Sequence, residues 1–217
     1  MKKFELTAEF VTNVFGKKLF RIKALVAFGN VEKGELGGFI ENEDNLSHDG
    51  NAWVSGDAQV YGNAQVYGNA QVYGNAQVYG NAQVYGNAQV YGDAWVFGNA
   101  QVYGDAWVFG NAQVYGDAWV SGNAQVYGDA WVSGNAQVYG DADYAVVKGY
   151  GRYFRATTFF RCKDKILRVQ CGCFYGDLAQ FREIVKKTHG DSKYAKEYLA
   201  IADLMELHFS DECGGEQ

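Results

Sequence analysis

Basic residues and histidine are missing from the middle of this chain. The full chain of 217 residues contains 19 Lys and Arg, 25 Asp and Glu and three His, and its formal net charge is −6. Residues 50–143 contain seven Asp but no Lys, Arg, Glu or His. A surface without cations binds phosphate backbones poorly. We therefore expect no nucleic-acid partner at this part of the protein.

Cysteines are few, and long apolar runs are absent. Four Cys in 217 residues do not form a dense disulfide framework. No run of apolar residues is long enough to span a membrane. The opening Met1-Lys2-Lys3 is followed by polar residues rather than by the apolar run of a signal peptide. We expect a cytoplasmic protein in a reducing setting that does not bind membranes.

A six-residue repeat fills residues 50–139, in fifteen units without insertion or deletion. Each unit reads Gly, Asn or Asp, Ala, Gln or Trp, Val, and then Tyr, Phe or Ser. A short fixed period is typical of a solenoid, and Gly followed by Asn or Asp favours a turn. In the remaining positions side chains alternate between two faces, so Ala and Val share one. We predict that Ala and Val face inward, because an inward Gln would bury an unpaired amide. A wider coil with Tyr and Gln inside is the alternative.

A turn every six residues closes most simply as a triangle, which gives eighteen residues per turn and five turns. Residues eighteen apart then lie above one another and form outward columns of aromatic side chains, which stabilise flat sheets. At the corners, Asp and Asn are arranged so that no two Asp occupy neighbouring turns, which avoids stacked carboxylates. The columns are Tyr61, Tyr79, Phe97, Tyr115, Ser133; Tyr67, Tyr85, Tyr103, Ser121, Tyr139; and Ser55, Tyr73, Tyr91, Phe109, Tyr127.

The unit at residues 60–65, Val-Tyr-Gly-Asn-Ala-Gln, resembles the hexapeptide repeat of left-handed parallel β-helices. The resemblance implies a left-handed coil. Residues 21–47 resemble the leader of uncharacterised bacterial and phage hexapeptide-repeat proteins, some of which are labelled as transferases. Relatives of known activity are acyltransferases that use coenzyme A and γ-class carbonic anhydrases. Both depend on His residues, as a general base or as metal ligands. The repeats here contain no His and no protruding loop.

The predicted fold is an all-β solenoid, a left-handed parallel β-helix of about five turns over residues 50–143, with a cap at each end. Residues 1–49 are predicted to form a β cap that begins with a hairpin, its strands at residues 9–14 and 19–25. This cap should cover the open edge of the first turn.

Residues 144–217 are predicted to form a C-terminal ββαα cap with strands at residues 153–161 and 166–174. Asp177 should cap the first helix and Gly190 should end it. Asp191 or Ser192 should cap a second helix that runs to about Phe209, and a frayed tail should follow from residue 210.

We predict no catalytic residue, no metal and no cofactor. His48 lies next to the repeats and is interpreted as a solvated turn residue, with a catalytic base as the alternative. His189 should lie at a helix end, where a cation is favourable. Cys162, Cys171 and Cys173 are interpreted as buried apolar residues, since their spacing with His189 matches no standard zinc pattern. Asp57, Asp93 and Asp129 lie on alternate turns, too far apart to share a cation.

Exposed aromatic residues are the strongest functional feature of the sequence. A large exposed aromatic surface usually marks an interaction site, although stacked rings that only stabilise the sheet are an equal alternative. We expect a non-enzymatic β-solenoid scaffold or interaction protein of phage or prophage type, which presents Tyr, Trp and Gln to a protein partner, a small-molecule ligand or another copy. The alternative is a hexapeptide-repeat acyltransferase that uses acetyl-coenzyme A. The candidate binding residues are Trp95, Trp107, Trp119, Trp131, Tyr103, Tyr115 and Tyr127.

Overall fold

The computed structural model describes residues 1–210. It is a solenoid of stacked parallel coils with antiparallel strands at its N-terminal end and an α+β unit at its C-terminal end. Residues 1–210 contain no helix with the length and apolar composition that a membrane span requires. The predicted frayed tail lies, from residue 211 onward, outside the described residues.

The N-terminal hairpin is confirmed, with a longer first strand than the sequence suggested. Strand β1 spans Phe4–Thr12, β2 spans Lys18–Ala24, and the two pair antiparallel with an irregularity between Leu6 and Phe10. Strand β3, Leu36–Ile40, pairs antiparallel with β2. The hairpin therefore extends one sheet of the solenoid beyond its first coil.

Each repeat unit contributes one two-residue strand, Gln-Val or Trp-Val. The strands stack eighteen residues apart into three parallel sheets, which we call face 1, face 2 and face 3. Face 1 holds β5 (Gln59–Val60), β8 (Gln77–Val78), β11 (Trp95–Val96), β14 (Gln113–Val114) and β17 (Trp131–Val132). Face 2 holds β4 (Trp53–Val54), β7 (Gln71–Val72), β10 (Gln89–Val90), β13 (Trp107–Val108) and β16 (Gln125–Val126). Face 3 holds β6 (Gln65–Val66), β9 (Gln83–Val84), β12 (Gln101–Val102), β15 (Trp119–Val120) and β18 (Gln137–Val138).

The interior of the solenoid is made of valine and alanine, as predicted. Every repeat Ala and Val, from Ala52 to Val138, is 0% exposed. The alternative with interior Tyr and Gln is therefore wrong. Each corner Gly from Gly50 to Gly134 has a φ between 61° and 74°, the left-handed region that glycine adopts without strain. The left hand of the coil remains a prediction from the resemblance.

The solenoid has about six turns rather than the predicted five. Strand β3 pairs parallel with β5, and Leu46 forms a parallel bridge with Val66. These partners are twenty residues apart, as in Phe39 and Gln59, so the repeat pattern does not reveal them. A 3-10 helix at Glu43–Asn45 forms the corner between them. The segment from Leu36 to Leu46, which was predicted as part of the cap, therefore forms an additional turn of the solenoid.

The C-terminal unit has four antiparallel strands before its two helices, so the predicted ββαα order is wrong. The strands are β19 (Tyr144–Val147), β20 (Thr157–Arg161), β21 (Leu167–Cys171) and β22 (Phe174–Asp177). The predicted second strand divides because Gly172 turns the chain with a φ of 59°. A 3-10 helix at Asp141–Asp143 separates Tyr144–Val147 from the last repeat, and the repeat pattern does not reveal this strand.

Both C-terminal helices begin and end where predicted. Helix α1 spans Leu178–His189, with Asp177 as its N-cap and Gly190 after its last residue. Helix α2 spans Lys193–His208 and is capped by Ser192 rather than Asp191. Strand β20 contacts β17 and β18, which joins this unit to the last coil.

Candidate functional site

The predicted aromatic columns form stacked ladders on all three faces. Neighbouring rings are 4.8–5.3 Å apart between centroids, with interplanar angles of 1–14°. A Tyr hydroxyl also donates to the Gln of the next turn, as Tyr61 does to Gln77 Oε1 at 3.2 Å and Tyr73 to Gln89 Oε1 at 3.0 Å. Burial raises the pKa of both Tyr61 and Tyr73 above its usual value. These ladders therefore stabilise the solenoid, whatever else they do.

Tryptophan replaces this glutamine in five units, and in two of them its ring contacts a tyrosine of the preceding turn. The Trp95 ring lies edge-on to Tyr79, and the Trp107 ring lies edge-on to Tyr91, both at 6.4 Å between centroids and 71°. Trp95 is 39% exposed and Trp107 is 38% exposed. A Trp in this position has no acceptor for the Tyr hydroxyl. The Tyr–Gln hydrogen bond is therefore replaced by an exposed indole ring.

The structure places the predicted binding residues on three different faces. Face 1 carries Trp95, Tyr115 and Trp131; face 2 carries Trp107 and Tyr127; and face 3 carries Trp119 and Tyr103. Trp119 and Trp131 are half-buried, since both lie in turns that meet the C-terminal unit. The Lys163 ammonium lies 5.9 Å from the centroid of the Trp119 ring. Only face 1 holds two of the four candidate tryptophans.

Trp131 lies at a junction between the solenoid and the C-terminal unit. One cleft of about 470 Å³ is lined by Trp131, Asp129, Lys148 and Arg155, and we call it the Trp131 cleft. A more open cleft of about 500 Å³ shares Trp131 and adds Tyr115 and Tyr175. The Lys148 ammonium pairs with the Asp129 carboxylate and, with an amide donor from Asn111, lowers the pKa of Asp129. Face 1 thus continues into a polar-rimmed concave surface.

Ser133, in an aromatic position of the repeat, marks where the C-terminal unit meets the ladder of face 1, a signal that the sequence interpretation missed. Ser121 and Ser133 are each 2% exposed, although the equivalent Tyr and Phe are mostly half-buried. The Ser133 hydroxyl donates to Gln170 Oε1 at 3.2 Å. A ring at Ser133 would occupy the space of Gln170, so the ladder of face 1 ends there.

His48 is fixed in the N-terminal cap instead of lying in a solvated turn. Its ring stacks on Phe4 at 4.3 Å between centroids. Its Nδ1 accepts from the backbone N–H of Lys3 at 3.2 Å, and its Nε2 lies 3.5 Å from Glu43 Oε2. Both ring nitrogens are therefore engaged, which argues against the alternative of a catalytic base.

The three described cysteines differ in burial, so the single interpretation as buried residues is wrong for two of them. Cys162 is buried, and burial raises the pKa of its thiol to about 11. Cys171 is half-buried and Cys173 is exposed, because Gly172 turns the chain between them. Within residues 1–210, no group of three or more His, Cys, Asp or Glu side chains is arranged to hold a metal ion.

The corner carboxylates are paired with amides, as the alternation of Asp and Asn suggested. Asn75 Nδ2 donates to Asp93 Oδ1 at 2.9 Å, and Asn111 Nδ2 donates to Asp129 Oδ1 at 3.0 Å. Each such Asp accepts a hydrogen bond from the preceding turn. Turn formation and this ladder account for the corner residues.

The repeats match a family model described as YdcK Beta solenoid repeat. This similarity supports a β-solenoid repeat protein and agrees with the stacked coils. A comparison with curated proteins finds no match. The matched windows within residues 58–140 are 58–74, 64–80, 70–86, 82–98, 88–104, 100–116, 112–128 and 124–140.

Proposed function

We propose that this protein is a non-enzymatic scaffold that binds a partner protein along face 1 and into the Trp131 cleft. The observation that carries the proposal is the placement of Trp95 and Trp131 on one face, with Tyr115 on the turn between them. Aromatic residues are enriched at the centres of protein interfaces. A cytoplasmic location and a phage or prophage origin are further parts of the proposal.

The chemistry of face 1 suits a protein partner. Its outward positions between residues 59 and 133 carry Gln, Trp, Tyr, Phe and one Ser, and no charged side chain. Parallel strands are about 4.8 Å apart, so Trp95 and Trp131 are separated by roughly 10 Å, within the reach of one docked element. The charged residues Asp129, Lys148 and Arg155 lie at the edge, in the Trp131 cleft. An uncharged aromatic centre with a polar rim is the usual composition of an interface.

The acyltransferase alternative has less support than the scaffold. His48, the histidine next to the repeats, has both ring nitrogens engaged by Lys3 and Glu43. No observation on the solenoid favours a site for coenzyme A.

The chain contains a matched pair for the test. Residues 92–103 and 104–115 have the same twelve-residue sequence, and Trp95 and Trp107 have the same exposure and ring contact but lie on different faces. We would compare Trp95→Gln with Trp107→Gln, measuring self-association by sedimentation velocity and partner binding by affinity purification from the source cells.

Because Gln occupies this position in ten of the fifteen units, both variants should fold with similar melting temperatures. The proposal expects a loss of association of at least about tenfold for Trp95→Gln and none for Trp107→Gln. Equal effects of the two variants on association would contradict a site on face 1. A drop in stability with association intact would show that the rings only support the coil.

A further inference from the structure

A further cavity lies within the C-terminal unit, next to the Trp131 cleft. It has a volume of about 230 Å³ and lies between helix α1, helix α2 and the loop before β20. Its apolar walls include Phe174, Phe181, Val185 and Tyr198. Pockets for drug-sized ligands usually measure about 300–1,000 Å³. This cavity therefore suits a smaller apolar group, such as one ring or a short chain.

Two arginines without carboxylate partners lie at this cavity. The chain has six Arg, and Arg21, Arg161, Arg168 and Arg182 each have a carboxylate oxygen within 4.0 Å. Within residues 1–210, Arg152 and Arg155 have none. Both line the cavity, and their guanidinium groups lie over the Tyr153 ring, at 5.5 Å and 5.0 Å from its centroid. The same loop thus supplies two cations that are not neutralised.

The loop that carries these arginines is held in a strained conformation. Phe154 has a φ of 53°, which is unusual for a bulky residue and strains the backbone. The start of this loop is fixed on α2, because the Gly151 N–H donates to Glu197 Oε2 at 2.9 Å. A Cβ at Gly151 would overlap the Tyr198 hydroxyl. Tyr153 is 63% exposed and Phe154 is 65% exposed. The fold therefore maintains an exposed, strained Arg-Tyr-Phe-Arg segment beside an apolar cavity.

We propose that this cavity binds a small organic carboxylate with an apolar body. Arg155 also lines the Trp131 cleft, so the two sites share one side chain. The apolar part would enter between Phe181, Val185 and Tyr198. The carboxylate would remain at the mouth and accept hydrogen bonds from Arg152 and Arg155, whose planar donors match a carboxylate in pairs. The ring of Tyr153 keeps the two guanidinium groups close to each other through cation–π contacts.

The test uses the full-length protein and 3-phenylpropionate as the probe, with binding measured by calorimetry and by NMR shifts of cavity residues. The first control is 3-phenylpropionamide, which has the same shape and no charge. We expect the amide to bind at least about tenfold more weakly than the acid, because it cannot form the charge-assisted hydrogen bonds. An N-acetylated dipeptide ending in phenylalanine distinguishes a free acid from a peptide carboxyl terminus. Tighter binding of the dipeptide than of the free acid would overturn the proposal in favour of a peptide.

Variants then assign the binding to this cavity. The double variant Arg152→Gln, Arg155→Gln should weaken binding of the acid at least about tenfold and leave binding of the amide unchanged. Arg182→Gln is the matched control, since this arginine is already paired with Asp203 and Glu206 and does not line the cavity. Ile184 lines the cavity and is 37% exposed, so Ile184→Glu places a carboxylate there. This charge should also block binding of the acid. Equal binding of acid and amide to the unmodified protein, or no binding of either, would overturn the proposal.

Discussion

The two ends of the solenoid are closed by opposite hydrogen-bonding chemistry. Within the coil, corner and outward N–H groups donate to carbonyls of the next turn, as Asn63 does to Gly80 and Gln59 does to Ala76. The first turn of the repeats therefore presents carbonyls that need donors from the N-terminal segment, and the last turn presents N–H groups that need acceptors. Backbone N–H groups of Phe39, Glu41 and Ser47 supply some of these donors.

Donor side chains close the first turn. Asn45 Nδ2 donates to Gly62 O at 3.0 Å and to Ala64 O at 2.8 Å. Lys3 Nζ donates to Ala52 O at 2.8 Å, and burial lowers the pKa of Lys3 to about 8. Buried carbonyls without such partners would be costly.

Acceptor side chains close the last turn. The Gln125 N–H donates to Asp141 Oδ1 at 2.9 Å, and the Trp131 N–H donates to Thr158 Oγ1 at 3.0 Å. The polarity of parallel strands thus decides which residue types can serve at each end. A cap from one end would not close the other.

The largest expected effect comes from reversing the cap chemistry at the first turn. Asn45 is 1% exposed, and its amide nitrogen donates to two carbonyl oxygens. Asn45→Asp would therefore place a buried carboxylate oxygen against those carbonyls. We expect a loss of about 3–5 kcal/mol in the free energy of unfolding, measured by urea denaturation. Asp141→Asn at the last turn keeps an acceptor oxygen and should cost less than about 1 kcal/mol. Similar losses for the two variants would contradict the opposite chemistry of the ends.

The acceptor at the last turn can be tested with two neighbouring threonines. Thr158→Val removes the acceptor of the Trp131 N–H without changing the shape of the side chain, and should cost about 1–3 kcal/mol. Thr157→Val is the control, because Thr157 is also 1% exposed but only donates a weak hydrogen bond to Cys171 Sγ. Chemical denaturation of both variants checks the difference. A larger loss for Thr157→Val would mean that packing matters more than capping here.

Lys3 should give the first turn of the repeats a pH dependence between about pH 8 and pH 10.5. Its pKa falls from 10.5 to about 8 on folding, so between these values the unfolded chain binds more protons and stability rises with pH. Below about pH 8 Lys3 is charged in both states and contributes no slope. Melting temperatures at pH 7 to 9.5, compared with those of Lys3→Met, isolate this contribution from the raised pKa of Cys162, which both proteins share. A constant difference between the two proteins across this range would contradict the prediction.

The smallest expected difference in stability is between two deletion variants of the solenoid. Removing residues 68–85 takes out one turn, and removing residues 68–73 takes out one unit and rotates the C-terminal unit by one face relative to the hairpin. Both leave every interior position Ala or Val and both ends capped, so their melting temperatures should agree within a few degrees. Small-angle scattering should show the original relation of the two ends only after the longer deletion. Identical scattering shapes would contradict a rigid coil.

Much of the solenoid was predictable because its structure is set by short-range periodicity. Val84 and Gln83 alternate between the interior and the surface, and the eighteen-residue repeat placed Tyr61 under Tyr79. The helix boundaries at Asp177 and Gly190 also follow from local capping chemistry. The candidate site was only partly predictable. The tryptophans could be assigned to faces by counting, but the partial burial of Trp131 depends on the C-terminal unit.

The sequence by itself determined the coil, its interior, its ladders and its corner pairs, since each depends on side chains at fixed spacing. Only the tertiary structure decided the sixth turn through Phe39, the burial of Ser133 beneath Gln170, and the meeting of Arg152 and Arg155 with the apolar face of α1. The physical reason is the same in each case. These contacts join segments without a shared period, so they depend on packing between distant parts of the chain.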